Sequence, residues 1–190
     1  HRILQMKSNE ERRNLKLAIQ IRKVVEMLRL PRQVRDELCM QMRKKHEGSL
    51  TARRLAYLTW IIARVHRCPR TLKEIERVFC ELYENKKIIG RHAYSEILKL
   101  ARELGYKIPR ATPQDYLCKF AEKLQVSANE AARILEKLPK KFVKHKDPRY
   151  IAAAALKISS ELNSFQVAKK LGLTLSVIRR YERQIGNFRR

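Results

Sequence analysis

The stretch that decides the fold is SFQVAKKLGLTLSVIRRYERQ, residues 164–184. A small residue, Ala168, lets a second helix cross close to the first. Gly172 can take the left-handed backbone conformation that a tight turn between helices demands. The apolar residues that pack such a pair onto the protein body have the matching spacing: Val167, Leu171, Leu173, Ile178 and Tyr181. We therefore predict a helix-turn-helix, with helices over 164–171 and 174–185.

The residues left facing outward on the second helix could read duplex DNA. The base-reading candidates are Ser176, Val177, Arg179 and Arg180, and the phosphate-binding candidates are Lys169, Lys170 and Arg183. A helix held by its apolar side can enter the major groove, with N-terminal residues at base edges and basic residues at phosphates. Helix-turn-helix geometry also occurs as mere packing inside all-α domains, so the pattern alone leaves that alternative open.

The charge of the chain favours a polyanionic partner. The sequence has 44 Lys and Arg against 19 Asp and Glu, a formal net charge of +25. Residues 1–110 hold 27 basic and 12 acidic residues, and residues 111–190 hold 17 and 7. A folded body that is basic in both halves points first to nucleic acid. An anionic membrane surface is the second candidate, but no helix shows the broad aromatic apolar face that favours it, and we expect no membrane contact.

Apolar residues recur at helical spacing almost throughout, and 5 Gly and 6 Pro are too few for a turn-rich β fold. We predict an all-α protein of two five-helix repeats, at 14–105 and 113–186. A linker at 106–112 joins them, an extension or linker precedes them at 1–13, and a basic tail follows at 187–190. Two segments resemble each other: RRLAYLTWIIARV, from 53, and RYIAAAALKISSEL, from 149. Their similarity indicates an internal duplication with a buried central helix in each half.

In the first half, the first helix is outlined by Leu15, Ile19, Val24 (or Val25) and Leu28. The second carries Val34, Leu38 and Met42. The third follows a cap at Thr51, and the fourth opens at Pro69 and Thr71. Asn85 is predicted to cap a long fifth helix that Gly105 closes.

In the second half, we predict helices at about 113–124, 127–145 and 148–162 before the helix-turn-helix. The predicted N-caps are Thr112, Ser127, Asp147, Ser164 and Thr174. Pro139 should kink the second of these helices or end it early.

The first half has a looser counterpart of the basic helix. Lys86, Lys87 and Arg91 cluster at the predicted start of the fifth helix, where they could clamp phosphate or an acidic protein surface. Ordinary solvated charges would give the same pattern.

Nothing in the sequence indicates catalysis, a cofactor or a metal site. The five histidines lie in basic surroundings, where we expect them to lack carboxylate partners, and no Gly-rich phosphate loop or convergent acid pair is present. Cys39, Cys68, Cys80 and Cys118 stand alone without zinc spacing. We predict that they are buried thiols of a reducing compartment, and that the protein is not an enzyme.

Over residues 14–186 the chain resembles the core of transcription factor IIB and its archaeal counterpart, transcription factor B. The likeness is carried by LPRQVRDEL (30–38), PRTLKEIERVF (69–79), NKKIIGRHAYSEILKLARELG (85–105), PQDYLCKFAEKL (113–124), DPRYIAAAALKISSEL (147–162) and the helix-turn-helix. The resemblance implies two tandem cyclin-like repeats. It also implies an intracellular factor, in an archaeal cytoplasm or a nucleus, that sits as a monomer on the TATA-box-binding protein and double-stranded promoter DNA and helps recruit RNA polymerase.

The resemblance also implies roles for particular residues. Anchored on Gly172 and Thr174, the family's upstream-element reader places Ser176 and Arg179 at the base-reading positions. The family pattern KKxIGR matches at residues 86–91, where the family meets the TATA-binding protein and nearby phosphates. Ser176 stands where relatives usually have Val, and this departure implies a different base preference.

Two other functions fit parts of the same pattern. A free-standing helix-turn-helix regulator would bind its operator alone, as a dimer on half-sites about one helical turn apart. A cyclin-type module that binds and activates an enzyme would have little affinity for DNA, which the charge disfavours.

Overall fold

The computed structural model describes residues 2–43, 52–84 and 87–188, and the regular secondary structure in these ranges is all α-helical. The helices are α1 (Arg2–Met27), α2 (Arg32–Arg43), α3 (Ala52–Val65), α4 (Leu72–Tyr83), α5 (Ala93–Glu103), α6 (Pro113–Leu124), α7 (Asn129–Glu136), α8 (Lys140–Lys144), α9 (Pro148–Ile158), α10 (Ser164–Leu171) and α11 (Leu175–Asn187). The all-α prediction is confirmed. Among the described residues, no helix combines the length and the apolarity needed to cross a bilayer.

The chain divides into two compact units, His1–Pro109 and Arg110–Arg190. Each unit buries an apolar core of its own. The first unit contains α1 to α5 and the second α6 to α11. This all-helical architecture is consistent with a cyclin-like fold, while the limits of the two repeats and their duplication stay predictions.

In the first unit, α3 is the buried centre. Every residue from 55 to 63 is buried, so the helix is enclosed on all sides rather than on one face. The hydroxyl of Thr59 is satisfied inside the helix, where it donates to the Leu55 carbonyl at 2.8 Å. Because α2, α4 and α5 all contact α3, the prediction of a central helix in this half is confirmed.

The first helix is longer than predicted and turned differently. It begins at Arg2, within the predicted extension. Leu15 and Ile19 were expected to face inward, but they are 63% and 48% exposed. The inward face follows another set with helical spacing, residues 17, 21, 24, 25 and 28. Both predicted positions lie off that stripe because the sequence offers two apolar stripes on one helix.

The predicted long fifth helix is wrong in its first turns. Helix α5 begins at Ala93, and residues 87–92 are not helical. Hydrogen bonds to side chains of α3 replace the helical backbone hydrogen bonds there. The Arg53 Nε donates to the Ile88 carbonyl at 2.9 Å, and the Gly90 N–H lies 3.5 Å from the Tyr57 hydroxyl oxygen. At the other end Gly105 has φ +72° and closes the helix as predicted, whereas Asn85 lies outside the described residues.

Three side chains fix the start of α4 and its junction with α1. Helix α4 opens at Thr71 as predicted: the Thr71 hydroxyl accepts from the Glu74 N–H at 3.2 Å, and the Glu74 carboxylate accepts from the Thr71 N–H at 2.8 Å. Arg70 donates to the carbonyls of Leu28 and Arg29, both at 2.8 Å, and so satisfies the end of α1. The cap predicted at Thr51 lies outside the described residues, as does the whole link between α2 and α3.

In the second unit, α9 is the buried centre. Residues 151–156 are all completely buried, and four of them are alanines. Helices α6, α7, α10 and α11 contact α9, so the predicted central helix is confirmed in this half also. The carboxylate of Asp147 caps α9 as predicted and accepts from the Arg149 N–H at 3.0 Å.

Pro139 ends the predicted helix 127–145 early, and the chain continues as the separate short helix α8. Two predicted caps are displaced by one residue. Ala128 precedes α7, although the Ser127 hydroxyl still accepts from the Asn129 N–H at 3.3 Å. Asn163 caps α10 in place of Ser164, because its side chain accepts from the Gln166 N–H at 2.9 Å.

Replacing Ala153 with Leu should lower the free energy of unfolding by about 1–3 kcal/mol, because the added carbons have no space in the centre of the unit. Denaturant unfolding followed by circular dichroism measures the change. The same substitution at the exposed Ala18 on α1 is the matched control and should leave stability nearly unchanged. Equal effects of the two substitutions would contradict the close packing around α9.

Candidate nucleic-acid interface

The turn between α10 and α11 has the geometry that the sequence predicts. Gly172 has φ +67° and ψ +38°, the left-handed conformation. The Leu173 N–H returns to the Ala168 carbonyl at 3.0 Å and closes the end of α10. The stretch 164–185 is therefore two helices joined by a tight turn, and that prediction is confirmed.

One side of this helix pair is buried against the unit. Val167, Ile178 and Ile185 are 0% exposed, and Ala168 and Tyr181 are 6% exposed. Leu171 and Leu173 are half-buried against the same core. Because α11 packs on both α9 and α10, its rotation about its own axis is set by this apolar side.

Aromatic side chains support α11 from behind. The Tyr181 ring stacks on Tyr150 with centroids 6.2 Å apart, and it meets the Phe142 ring edge-on at 6.3 Å. The Tyr150 hydroxyl donates to the Thr174 hydroxyl oxygen at 3.2 Å and accepts from the Thr174 N–H at 3.3 Å. Thr174 therefore precedes α11 as predicted, but its side chain bonds Tyr150 rather than capping the helix.

The one acidic residue of the sequence from 164 to 190 is turned towards the interior. The Glu182 carboxylate pairs with the Lys157 ammonium of α9 at 2.5 Å and accepts from the Ser164 hydroxyl at 2.8 Å. Its side chain is 21% exposed. This bond ties three helices together and leaves the outer face of α11 without a negative charge.

The outer face carries most of the predicted DNA-binding residues. Ser176 is exposed, and so are the basic candidates Lys169, Lys170, Arg179, Arg180 and Arg183. None of these basic side chains pairs with an acid of the described residues. Val177 was predicted to face outward but is half-buried, because it packs against the core beside Ile178.

Lys146 is a member of this site that the sequence pattern did not single out. Its ammonium lies 3.9 Å from the centre of the Phe142 ring and donates to the Gln184 side-chain oxygen. Burial, and after it the charge of Arg180, lowers the pKa of Lys146. A lysine on the aromatic support therefore lies within electrostatic reach of the exposed arginine.

The predicted cluster of the first unit is described in part. Lys87 and Arg91 are both exposed, and Lys86 lies outside the described residues. The chain between them is irregular, and the buried side chains of Ile88 and Ile89 anchor it to the core. Two cations therefore project from a short anchored loop rather than from the start of a helix.

The cysteine prediction is partly wrong. No disulfide joins the four cysteines, all of which lie in the described ranges; Cys39, Cys68 and Cys80 are half-buried, but Cys118 is exposed. In α6, Leu117 and Phe120 face inward, and Cys118 lies on the outer side of the helix. Within the described ranges, no group of three or more His, Cys, Asp or Glu side chains could hold a metal ion.

Comparison with known proteins finds chains similar to this one along most of its length. No protein-family model matches the chain. It is 29% identical to transcription initiation factor IIB of Ignicoccus hospitalis, over 91% of this chain and 57% of the relative. It is 31% identical to the protein of the same name from Archaeoglobus fulgidus, over 90% and 55%, and 30% identical to that of Saccharolobus shibatae, over 88% and 57%. The chain is similar to transcription initiation factor IIB over nearly its whole length.

The chain spans just over half the length of these relatives. The resemblance inferred from the six sequence segments is confirmed by alignments that cover nearly all of the chain. The roles predicted for individual side chains rest on the geometry above, and they stay predictions.

Replacing Gly172 with Ala should lower the free energy of unfolding by about 1–2 kcal/mol, because a Cβ disfavours the left-handed backbone. Gly186 lies inside α11, and a Cβ there would meet no atom within 4 Å. Gly186→Ala is therefore the matched control, and it should raise stability by about 0.5 kcal/mol. Thermal melts of both variants test the turn, and two changes of the same sign would contradict its role.

Proposed function

We propose that this chain is the core of a basal transcription initiation factor. It binds the complex of TATA-box-binding protein with double-stranded promoter DNA, reads an element upstream of the TATA box with α11, and helps recruit RNA polymerase. It acts as a monomeric adaptor without a cofactor, and it catalyses no reaction. The observation that carries the proposal is the helix pair α10 and α11, which is joined by the left-handed Gly172. One side of the pair is apolar and buried, and the other carries cations without an acidic partner in the described residues.

The exposed face of α11 suits the major groove. An α-helix fits that groove, and side chains of its first turns reach base edges. Ser176 and Arg179 project from those turns. A guanidinium can donate two hydrogen bonds to the O6 and N7 of guanine, which makes Arg179 the first choice for base reading. Arg180 is the second, because its guanidinium leans over the Tyr181 ring at 5.6 Å.

Other cations of the same face suit backbone phosphates. Lys169 and Lys170 are exposed in the last turn of α10, and Arg183 is exposed one turn beyond Arg179. Phosphate contacts set the position and orientation of a protein on the duplex but carry no sequence information directly. These three side chains would hold α11 in register on the groove.

The loop at Lys87 and Arg91 suits a second contact of the assembly. Its two exposed cations have no acidic partner in the described part of the chain. Their anchored backbone would let them meet either phosphate or an acidic surface of the TATA-binding protein.

The decisive experiment is the electrophoretic mobility of a promoter duplex with and without TATA-binding protein. Because the chain alone would make few base contacts, we expect weak binding to the naked duplex and a strong additional shift when the partner is bound. Identical binding with and without the partner would refute the proposal. Tight binding of the chain alone, as a dimer, would favour the free-standing regulator instead.

Replacing Arg179 with Ala should weaken the assembled complex by about 1–3 kcal/mol and relax sequence preference upstream of the TATA box. Replacing Lys87 should weaken binding equally on all promoters and reduce the salt slope by about one. Competition binding with mutated upstream elements, at several salt concentrations, separates the two effects. If Arg179→Ala behaved like the lysine change, Arg179 would not read bases.

A further inference from the structure

A second cationic surface lies beside the helix-turn-helix. Residues 137–146, KLPKKFVKHK, include five lysines and one histidine but no acidic residue. Helix α8 lies in this stretch, and the side chains of Lys140, Lys141 and Lys144 are exposed. No acid of the described residues pairs with any of these three lysines. Their charge is therefore available to a partner.

Helix α8 is attached to α11 by its apolar side. The Phe142 ring meets Tyr181 at 6.3 Å and the exposed Phe188 at 5.1 Å, both nearly edge-on. Val143 is also half-buried against the core of the unit. Because residues 142 and 143 face inward, residues 140, 141 and 144 are left on the opposite, solvent side.

The two cationic surfaces adjoin through Lys146. Its ammonium donates to Gln184 of α11 and lies over Phe142 of α8. Lys146 and Arg180 both lie against the Tyr181 ring, at 5.1 and 5.6 Å from its centroid. The positive surface thus runs from Arg180 across Lys146 to the lysines of α8.

We propose that the exposed face of α8, formed by Lys140, Lys141 and Lys144, is a second DNA-contacting surface that binds backbone phosphates next to those met by α11. The inference rests on the proposed function, because it requires α11 to lie in a groove. It extends that function by adding a sequence-independent contact outside the helix-turn-helix.

The chemistry of this face favours phosphate over bases. Lysine ammonium groups are mobile point charges that bind phosphate but lack the fixed fork with which arginine reads guanine. The three positions carry no Asn, Gln or Arg and no aromatic ring on which an unpaired base could stack. Double-stranded DNA supplies regularly spaced phosphates beside any helix that occupies its major groove.

The test compares three variants of the whole chain on the same promoter duplex with TATA-binding protein bound. The first is the triple Lys140→Gln, Lys141→Gln, Lys144→Gln. The second replaces the same three lysines with arginine and keeps the charge. The third, Lys73→Gln, Lys99→Gln, Lys107→Gln, removes equal charge from exposed positions of the first unit. Thermal melts check that all three variants fold.

Three lost phosphate contacts would reduce the slope of log affinity against log salt by about 2.7. Between 50 and 200 mM salt, the wild type should therefore lose roughly 40-fold more affinity than the glutamine triple. At low salt, the glutamine triple should lose the same factor of affinity on duplexes with and without the upstream element. The arginine triple should keep the wild-type slope, and the control triple should reduce the slope by much less.

Each other result has a definite meaning. If wild type binds but the glutamine triple keeps the same slope, the α8 surface is refuted and the proposed function stands. A triple that loses sequence preference with an unchanged slope also refutes it, because α8 would then act through α11. Unchanged DNA binding with weaker binding to an acidic protein would assign the surface to that partner. A wild type that binds no promoter complex overturns both proposals.

Discussion

The second unit depends on the burial of a helix whose middle carries little more than methyl groups. Residues 152–155 of α9 are alanines and are completely buried. Without large side chains, four neighbouring helices can approach its backbone closely, and α11 is one of them. Ile178 and Ile185 fill the space between α11 and the core. The orientation of the basic helix is therefore a consequence of small residues on another helix.

The outer face of α11 is positive, because the negative charge of the helix is turned inward. Glu182 is held at the interior by Lys157 and Ser164, so its negative charge does not offset the outer arginines. This ion pair is mostly buried, so it also sets the side from which Glu182 faces α9. The cost of the remaining like charges is visible at Lys146, whose pKa burial and Arg180 lower together. Binding a polyanion would relieve this repulsion.

Local sequence signals predicted the turn and its packing side. Val167, Gly172 and Ile178 lie within a dozen residues, and their spacing depends on one helix period and one backbone conformation. Pro139 was equally readable, because its ring excludes a helix interior wherever it occurs. The similarity to transcription factor IIB rests on such local segments, which is why it could be recognised without a structure.

Features made by distant residues were not predictable in this way. The start of α5 was misplaced because Arg53, 35 residues earlier, takes the Ile88 carbonyl out of the helix. Leu15 was assigned inward because an apolar stripe alone does not say which neighbour covers it. Lys146 was not singled out, because its contacts with Tyr181 and Gln184 on α11 join residues far apart in the chain. Side-chain partners of this kind require coordinates.

If α11 binds DNA as proposed, it lies in the major groove upstream of the TATA box. A cleaving iron chelate attached to the helix tests this, through Ser176→Cys in a chain whose exposed Cys118 is replaced by Ser. In the complex with TATA-binding protein and promoter duplex, we predict strand cuts confined to a few base pairs on the upstream side. Cuts scattered along the duplex, or none above the unlabelled chain, would contradict it.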